Sequence, residues 1–161
     1  MSVQQIIVFI TAFFLALMAG VFYAYSCSVN PGLNKLQASD YLRTMQVINR
    51  AILNPFFLLP FVTTVVLLPL SAWLAYHGGM SVQFYLFLAA ALVYAIGAFG
   101  VTIMGNVPLN KMLDKADLTS VDVEQLRVSF EIPWNKLHTI RTVSIVVSLG
   151  LVLVGLVKRE S

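Results

Sequence analysis

The sequence predicts an all-α membrane protein, a four-transmembrane-helix up-down bundle with short interfacial helices in its two longer loops. Three observations carry this expectation. Of the 161 residues, 59% are hydrophobic and 11% charged, and the mean hydropathy is +0.86, more apolar surface than a soluble domain of this size hides. The charges are also unevenly placed: the first is Lys35, and residues 51–110 hold none. A hydrocarbon core about 30 Å thick takes about 20 apolar residues per helix, so the first charge-free stretch holds one span and the second holds two. Finally, only helices or closed barrels satisfy the backbone in lipid, and these runs are too long and too evenly apolar for barrel strands.

The chain is expected to form one domain, residues 1–161, with spans at about 4–26, 53–76, 82–104 and 134–157. The apolar run of the first exceeds the roughly 7 to 15 residues of a signal-peptide core and lacks a basic leader, which predicts a retained helix. In the connection that follows, Ser39 and Asp40 are placed to cap a short interfacial helix through about Asn49, with Leu42, Met45 and Ile48 on one stripe. The second span contains Pro55, Pro60 and Pro69, each of which removes a backbone hydrogen bond and bends a helix. The pair Gly78-Gly79 divides the long charge-free stretch as a tight hairpin, with His77 solvated beside it. The third span is expected to end at Asn106-Val107-Pro108-Leu109-Asn110, where Pro108 stops the hydrogen-bond ladder. Ser120 is placed to cap a segment through about Phe130 that Pro133 breaks, and the fourth span closes with the polar tail Lys158 to Ser161.

Four spans put the termini and the hairpin on one side and the connections 27–52 and 105–133 on the other. That loop side carries Lys35, Arg43, Arg50, Lys111, Lys115, Arg127 and Lys136, against Lys158 and Arg159 on the terminal side. The positive-inside rule therefore predicts cytoplasmic loops in a bacterial inner membrane. The same bias accounts for the net charge of +3, so the expected partners are the bilayer and a lipophilic small molecule, with no nucleic acid; a homo-oligomer is left open.

The single cysteine, Cys27, excludes an intramolecular disulfide and CxxC chemistry. Two histidines and scattered acids give no HExxH, no paired carboxylates and no phosphate loop. What the sequence does show is a lopsided distribution of polar groups. At the loop end, the first helix brings Tyr25, Ser26, Ser28 and Asn30, the second Gln46, Asn49, Arg50 and Asn54, the third Thr102, Asn106 and Asn110, and the fourth Trp134, Asn135, His138, Arg141 and Thr142. A charged side chain inside a membrane costs on the order of 2.5 to 3.5 kcal/mol even on lenient scales, so such groups face an interior and find partners. Gln46, Arg50 and Asn54 share one helix face, as do Trp134, His138, Arg141 and Thr142. Two planar, permanently charged guanidiniums at one depth suit a phenolate, enolate or carboxylate; the alternative is that Arg50 and Arg141 snorkel to phosphate headgroups. His138 is a proton-transfer group, a single axial metal ligand, or a helix–helix hydrogen-bond partner.

The stretches from Gln46 to Pro55 and from Asn106 to Asn110, Trp134 with His138 and Arg141-Thr142 downstream, and the early run from Gly20 to Ser26 together resemble the anthrone oxygenase-like family of small four-helix membrane proteins. The resemblance runs over nearly the whole chain. It implies oxidation of an anthrone to an anthraquinone with dioxygen. Where the family has a second Trp and an Asn in the last motif, this chain has Leu137 and His138, a departure that bears on the substrate and on a bound metal or haem. The expectation that follows is an oxidoreductase acting on a lipophilic phenolic, anthrone- or quinone-like molecule. In it Arg50 and Arg141 stabilise the oxyanion, His138 relays the proton, and Asn54, Asn106, Asn110, Trp134, Asn49 and Tyr25 hold the ring. No cofactor is required on that reading; haem or a metal ion on His138 is its alternative. A non-enzymatic haem, quinone or lipid carrier and a structural partner subunit are the other two classes.

Overall fold

The structure, a computed structural model, describes residues 2–158, so Arg159, Glu160 and Ser161 of the expected polar tail lie outside the described residues. It is helical throughout, with no strand among the described residues. Five helices follow in order: α1 (Val3–Leu33), α2 (Ala38–Ala51), α3 (Pro55–His77), α4 (Ser81–Asp114) and α5 (Val123–Val157). All but α2 are long and apolar enough to cross a membrane, and the chain is on that ground a multi-pass membrane protein. The hairpin lies where the Gly pair predicts it: α3 ends at His77, Gly79 takes φ +74°, and α4 begins at Ser81. That backbone conformation suits a residue without a Cβ.

Three helices run further than the sequence pattern suggests, and each difference has a cause. α1 passes Ser26 through a π turn at Tyr25–Val29, in which Asn30 N–H reaches back to the Tyr25 carbonyl, and then continues to Leu33. α4 does the same at Thr102–Asn106, where Val107 N–H bonds the Thr102 carbonyl, and continues through Pro108 to Asp114. In both, a proline stands just after the widened turn, Pro31 and Pro108. Proline has no N–H to give the α-helical ladder, so it sits where the ladder has already changed register, and the helix goes on. A further π stretch, Tyr94–Gly100, precedes the one in α4. Pro133 does not break α5, because Phe130 and Trp134 on either side of it are buried and hold the turn against its neighbours. The cap of that helix is Asp122, whose carboxylate accepts from the N–H groups of Glu124 and Gln125, not Ser120. Likewise α2 starts after Gln37, with Ser39 and Asp40 inside its first turn. Pro55 opens α3 at a position where no bond is lost, leaving Pro60 and Pro69 as its interior prolines.

At a rise of about 1.5 Å per residue, the 35 residues of α5 reach about 52 Å, well past an apolar core of about 30 Å. The excess builds a second layer. The main core, with Leu15, Phe22, Phe61, Leu68, Phe87, Tyr94, Ile145 and Val152, fills the four-helix bundle. A smaller core of Leu33, Tyr41, Leu42, Met45, Leu113, Phe130 and Trp134 lies beyond it at the loop end, where α2 covers the first turns of α5 and the last of α4. At the hairpin end α4 and α5 touch closely: a Cβ at Gly155 would stand 2.5 Å from Cε1 of the Phe87 ring. Between the two cores lies a polar layer.

Candidate functional site

The polar layer is assembled from the π turns of α1 and α4 and the middle of α5. His138 is 3% exposed and Arg141 7%, so both are inside. The imidazole stacks on the ring of Phe22 (centroids 5.5 Å apart) and on that of Trp134 (5.1 Å), and Tyr25 meets it at a steeper angle, 5.3 Å away. The Arg141 guanidinium rests on the same two rings, at 5.0 Å and 5.4 Å.

Hydrogen bonding fixes the state of the histidine. Arg141 Nη2 is 3.3 Å from His138 Nδ1. A guanidinium only donates, so Nδ1 accepts and carries no proton. On the other edge, Nε2 is 3.0 Å from the Ser26 hydroxyl and 3.4 Å from that of Thr142. Both hydroxyls already spend their hydrogen on a carbonyl: Ser26 donates to Phe22 at 3.1 Å and Thr142 to His138 at 2.9 Å. Their oxygens therefore present lone pairs, and Nε2 carries the proton. Both edges require the same neutral tautomer.

Arg141 itself is poorly satisfied. Its other contact, Nη1 to the Thr102 hydroxyl, is long at 3.5 Å; Nε is buried without a partner; and among the described residues no carboxylate lies within ion-pair distance of it. One turn along α4, Asn106, 1% exposed, donates from Nδ2 to the Trp134 carbonyl at 3.3 Å while its Oδ1 is buried and unpartnered. The carbonyl of Trp134 fixes which end of the amide is which. The site thus presents an uncompensated cation, an unused donor and an unused acceptor, an arrangement that receives an oxyanion next to a hydroxyl.

Of the other residues singled out by sequence, Asn110 accepts from Trp134 Nε1 at 2.8 Å and so orients that ring, and the Tyr25 hydroxyl points to Met45 Sδ at 3.3 Å. Asn49 has a buried Nδ2 with no partner. Two are not brought into the cluster. Arg50 pairs with Asp114 at 2.5 Å with 63% of its side chain exposed, and Asn54 caps α3, accepting from Phe57 N–H at 3.2 Å and donating to the Ala51 carbonyl at 2.8 Å. The sequence pattern counts Ser26 and Thr142 at this level without giving them a role, and passes over Phe22 because an apolar residue one turn before the polar group carries no signal of its own. His138 stands alone as a metal-binding side chain: among the described residues no three His, Cys, Asp or Glu gather, and both its nitrogens are engaged. An open depression of about 760 Å³ lies at the opposite, hairpin end, between Gln4, Val8, Met80, Phe87 and Leu156.

A family model described as anthrone oxygenase matches residues 54–151. The matched stretch takes in α3, α4 and α5 as far as Leu151, and with them Thr102, Asn106, Trp134, His138, Arg141 and Thr142; Phe22, Tyr25, Ser26 and Arg50 precede it. No curated protein and no solved structure matches the chain.

Proposed function

The chain belongs to the anthrone oxygenase family, and from that membership together with the uncompensated guanidinium of Arg141 we propose that it is a membrane-embedded oxidoreductase. It oxidises a lipophilic phenolic molecule of the anthrone class, taken from the bilayer, in the polar layer between the two cores. The reaction is anthrone plus dioxygen to anthraquinone plus water. A ring methylene loses a proton to become an enolate carbanion, dioxygen bonds to that carbon, and loss of water from the resulting hydroperoxide leaves the carbonyl. The observation that carries the reading is Arg141, held with a free Nε and no counter-ion among the described residues. An enolate oxygen supplies the missing charge, and a fixed cation at the place where charge develops lowers the barrier. His138 accepts the proton. Asn106 Oδ1 takes a ring hydroxyl, beside the rings of Phe22, Tyr25 and Trp134 that pack around His138, the last of them oriented by Asn110. Electron-rich carbanions of this kind react with dioxygen without a cofactor. Arg50, paired outside the cluster, has no part in the step.

On the same reading, the basic residues around the two long connections set those connections in the cytoplasm of a bacterial inner membrane. The test is anthrone oxidation by protein in proteoliposomes, followed by oxygen uptake and quinone absorbance. Arg141→Ala loses about a hundredfold or more in kcat, the scale of a lost oxyanion donor, while its helical circular dichroism is unchanged. A folded Arg141→Ala protein with wild-type turnover overturns the proposal.

A further inference from the structure

His138 is useful as a base only through the nitrogen that lacks a proton, and the surroundings select which one that is. The Nε2 edge meets two hydroxyl oxygens whose hydrogens are bound elsewhere, to the carbonyls of Phe22 and His138 itself. Ser26 is the nearer, at 3.0 Å, and reaches this edge from the π turn of α1. The Nδ1 edge meets Arg141 Nη2. From this geometry we infer that Ser26 is a positioning residue: it holds His138 as the Nε2–H tautomer, so that the basic lone pair sits on Nδ1 beneath the guanidinium.

The inference rests on the reading of His138 as the proton acceptor and goes further in one respect. Arg141 covers the lone pair at rest, and a ligand oxygen that takes the guanidinium uncovers it. The proton then passes from the ligand's methylene C–H to Nδ1, and the bonding pair stays on the ligand as an oxyanion held by Arg141. The imidazolium keeps its Nε2–H on Ser26. Recognition of the ligand and exposure of the base are one event, and a molecule without an oxygen for Arg141 leaves the base masked.

The test is the ¹⁵N spectrum of histidine-labelled protein in detergent micelles, in a His77→Gln background that leaves one histidine, together with kcat and KM for anthrone. Wild type shows the Nε2–H form alone. With Nδ1 freed by Arg141→Met, the Nε2–H form persists while Ser26 is present and gives way to a mixture of tautomers in Ser26→Ala, where Thr142 at 3.4 Å is the remaining acceptor. With Arg141 in place, Ser26→Ala lowers kcat about tenfold with KM unchanged, and Ser26→Thr restores it. An Nδ1–H form in wild type, or a Ser26→Ala change that alters neither the tautomer in the Arg141→Met background nor kcat, overturns the inference. Wild-type protein with the expected tautomer but no turnover of anthrone overturns the functional reading and leaves the positioning role standing.

Discussion

A guanidinium buried without an anion is an expense that packing alone does not explain. Exposed pairs such as Arg50 with Asp114 are worth about 0 to 1 kcal/mol and are easily replaced. Arg141 gives up its hydration for one imidazole nitrogen, one distant hydroxyl and two ring faces, a poor exchange for a charge taken out of water. A residue kept for function at the cost of stability behaves differently from one that fastens a bundle. Arg141→Met, which keeps the length of the side chain and removes the charge, is expected to raise the melting temperature in detergent while abolishing anthrone turnover. A lowered melting temperature would mark the arginine as a structural fastener. The sequence pattern identifies this residue well, since an arginine seven positions inside Trp134 stands out. It does not say which of the two arginines turns inward. Asp114, the partner that draws Arg50 outward, is separated from it by 64 residues, and nothing local links them.

At the scale of elements, the loop-end layer is held by a different arginine. Arg127 of α5 donates from Nε to Glu131 at 2.6 Å, from Nη1 to the Leu36 carbonyl at 2.7 Å, and from Nη2 to the carbonyl and side chain of Asn34 at 3.2 and 3.1 Å. Its guanidinium also covers the Tyr41 ring at 4.6 Å. Burial, helped by Glu131, pushes the Tyr41 phenol well above its ordinary range, so the ring under the cation stays uncharged. One side chain thus ties the α1–α2 turn and α2 to α5. Because only 14% of the Glu131 side chain is exposed, Arg127→Ala strands a carboxylate. It is expected to cost about 1 to 3 kcal/mol, read as a lowered melting temperature together with faster hydrogen exchange in residues 34–38. An exchange rate equal to wild type would show that the turn is held by something else. The four spans, the hairpin and the α2 stripe of Leu42 and Met45 are all legible in the sequence, because each rests on hydrophobic pattern or on a glycine pair, whereas the short helix expected before Pro133 is the first part of α5. Helix ends are not. Pro108 and Pro133 read as stops, yet one follows a π turn and the other is held between buried aromatics, and both effects depend on partners distant in sequence.

For the whole molecule, the proposed direction in the bilayer rests on the charge bias of the connections. In a Cys27→Ser background, a cysteine introduced for the exposed Ser120 is expected to react with a membrane-impermeant maleimide only after the cells are opened. Labelling in intact cells would reverse the orientation. The bundle and the loop-end layer have separate cores, and α1, α4 and α5 run through both. Two of those shared helices pass between them by way of a five-residue π turn closed by an i to i+5 bond, each followed by a proline. Such a turn advances the chain without keeping the α-helical phase. It works as a gear between two shafts: the side chains above it and below it can each face their own core. On the gear itself, Tyr25 and Val29 turn to the loop-end core, while the polar Ser26 and Asn106 stand in the layer between the two.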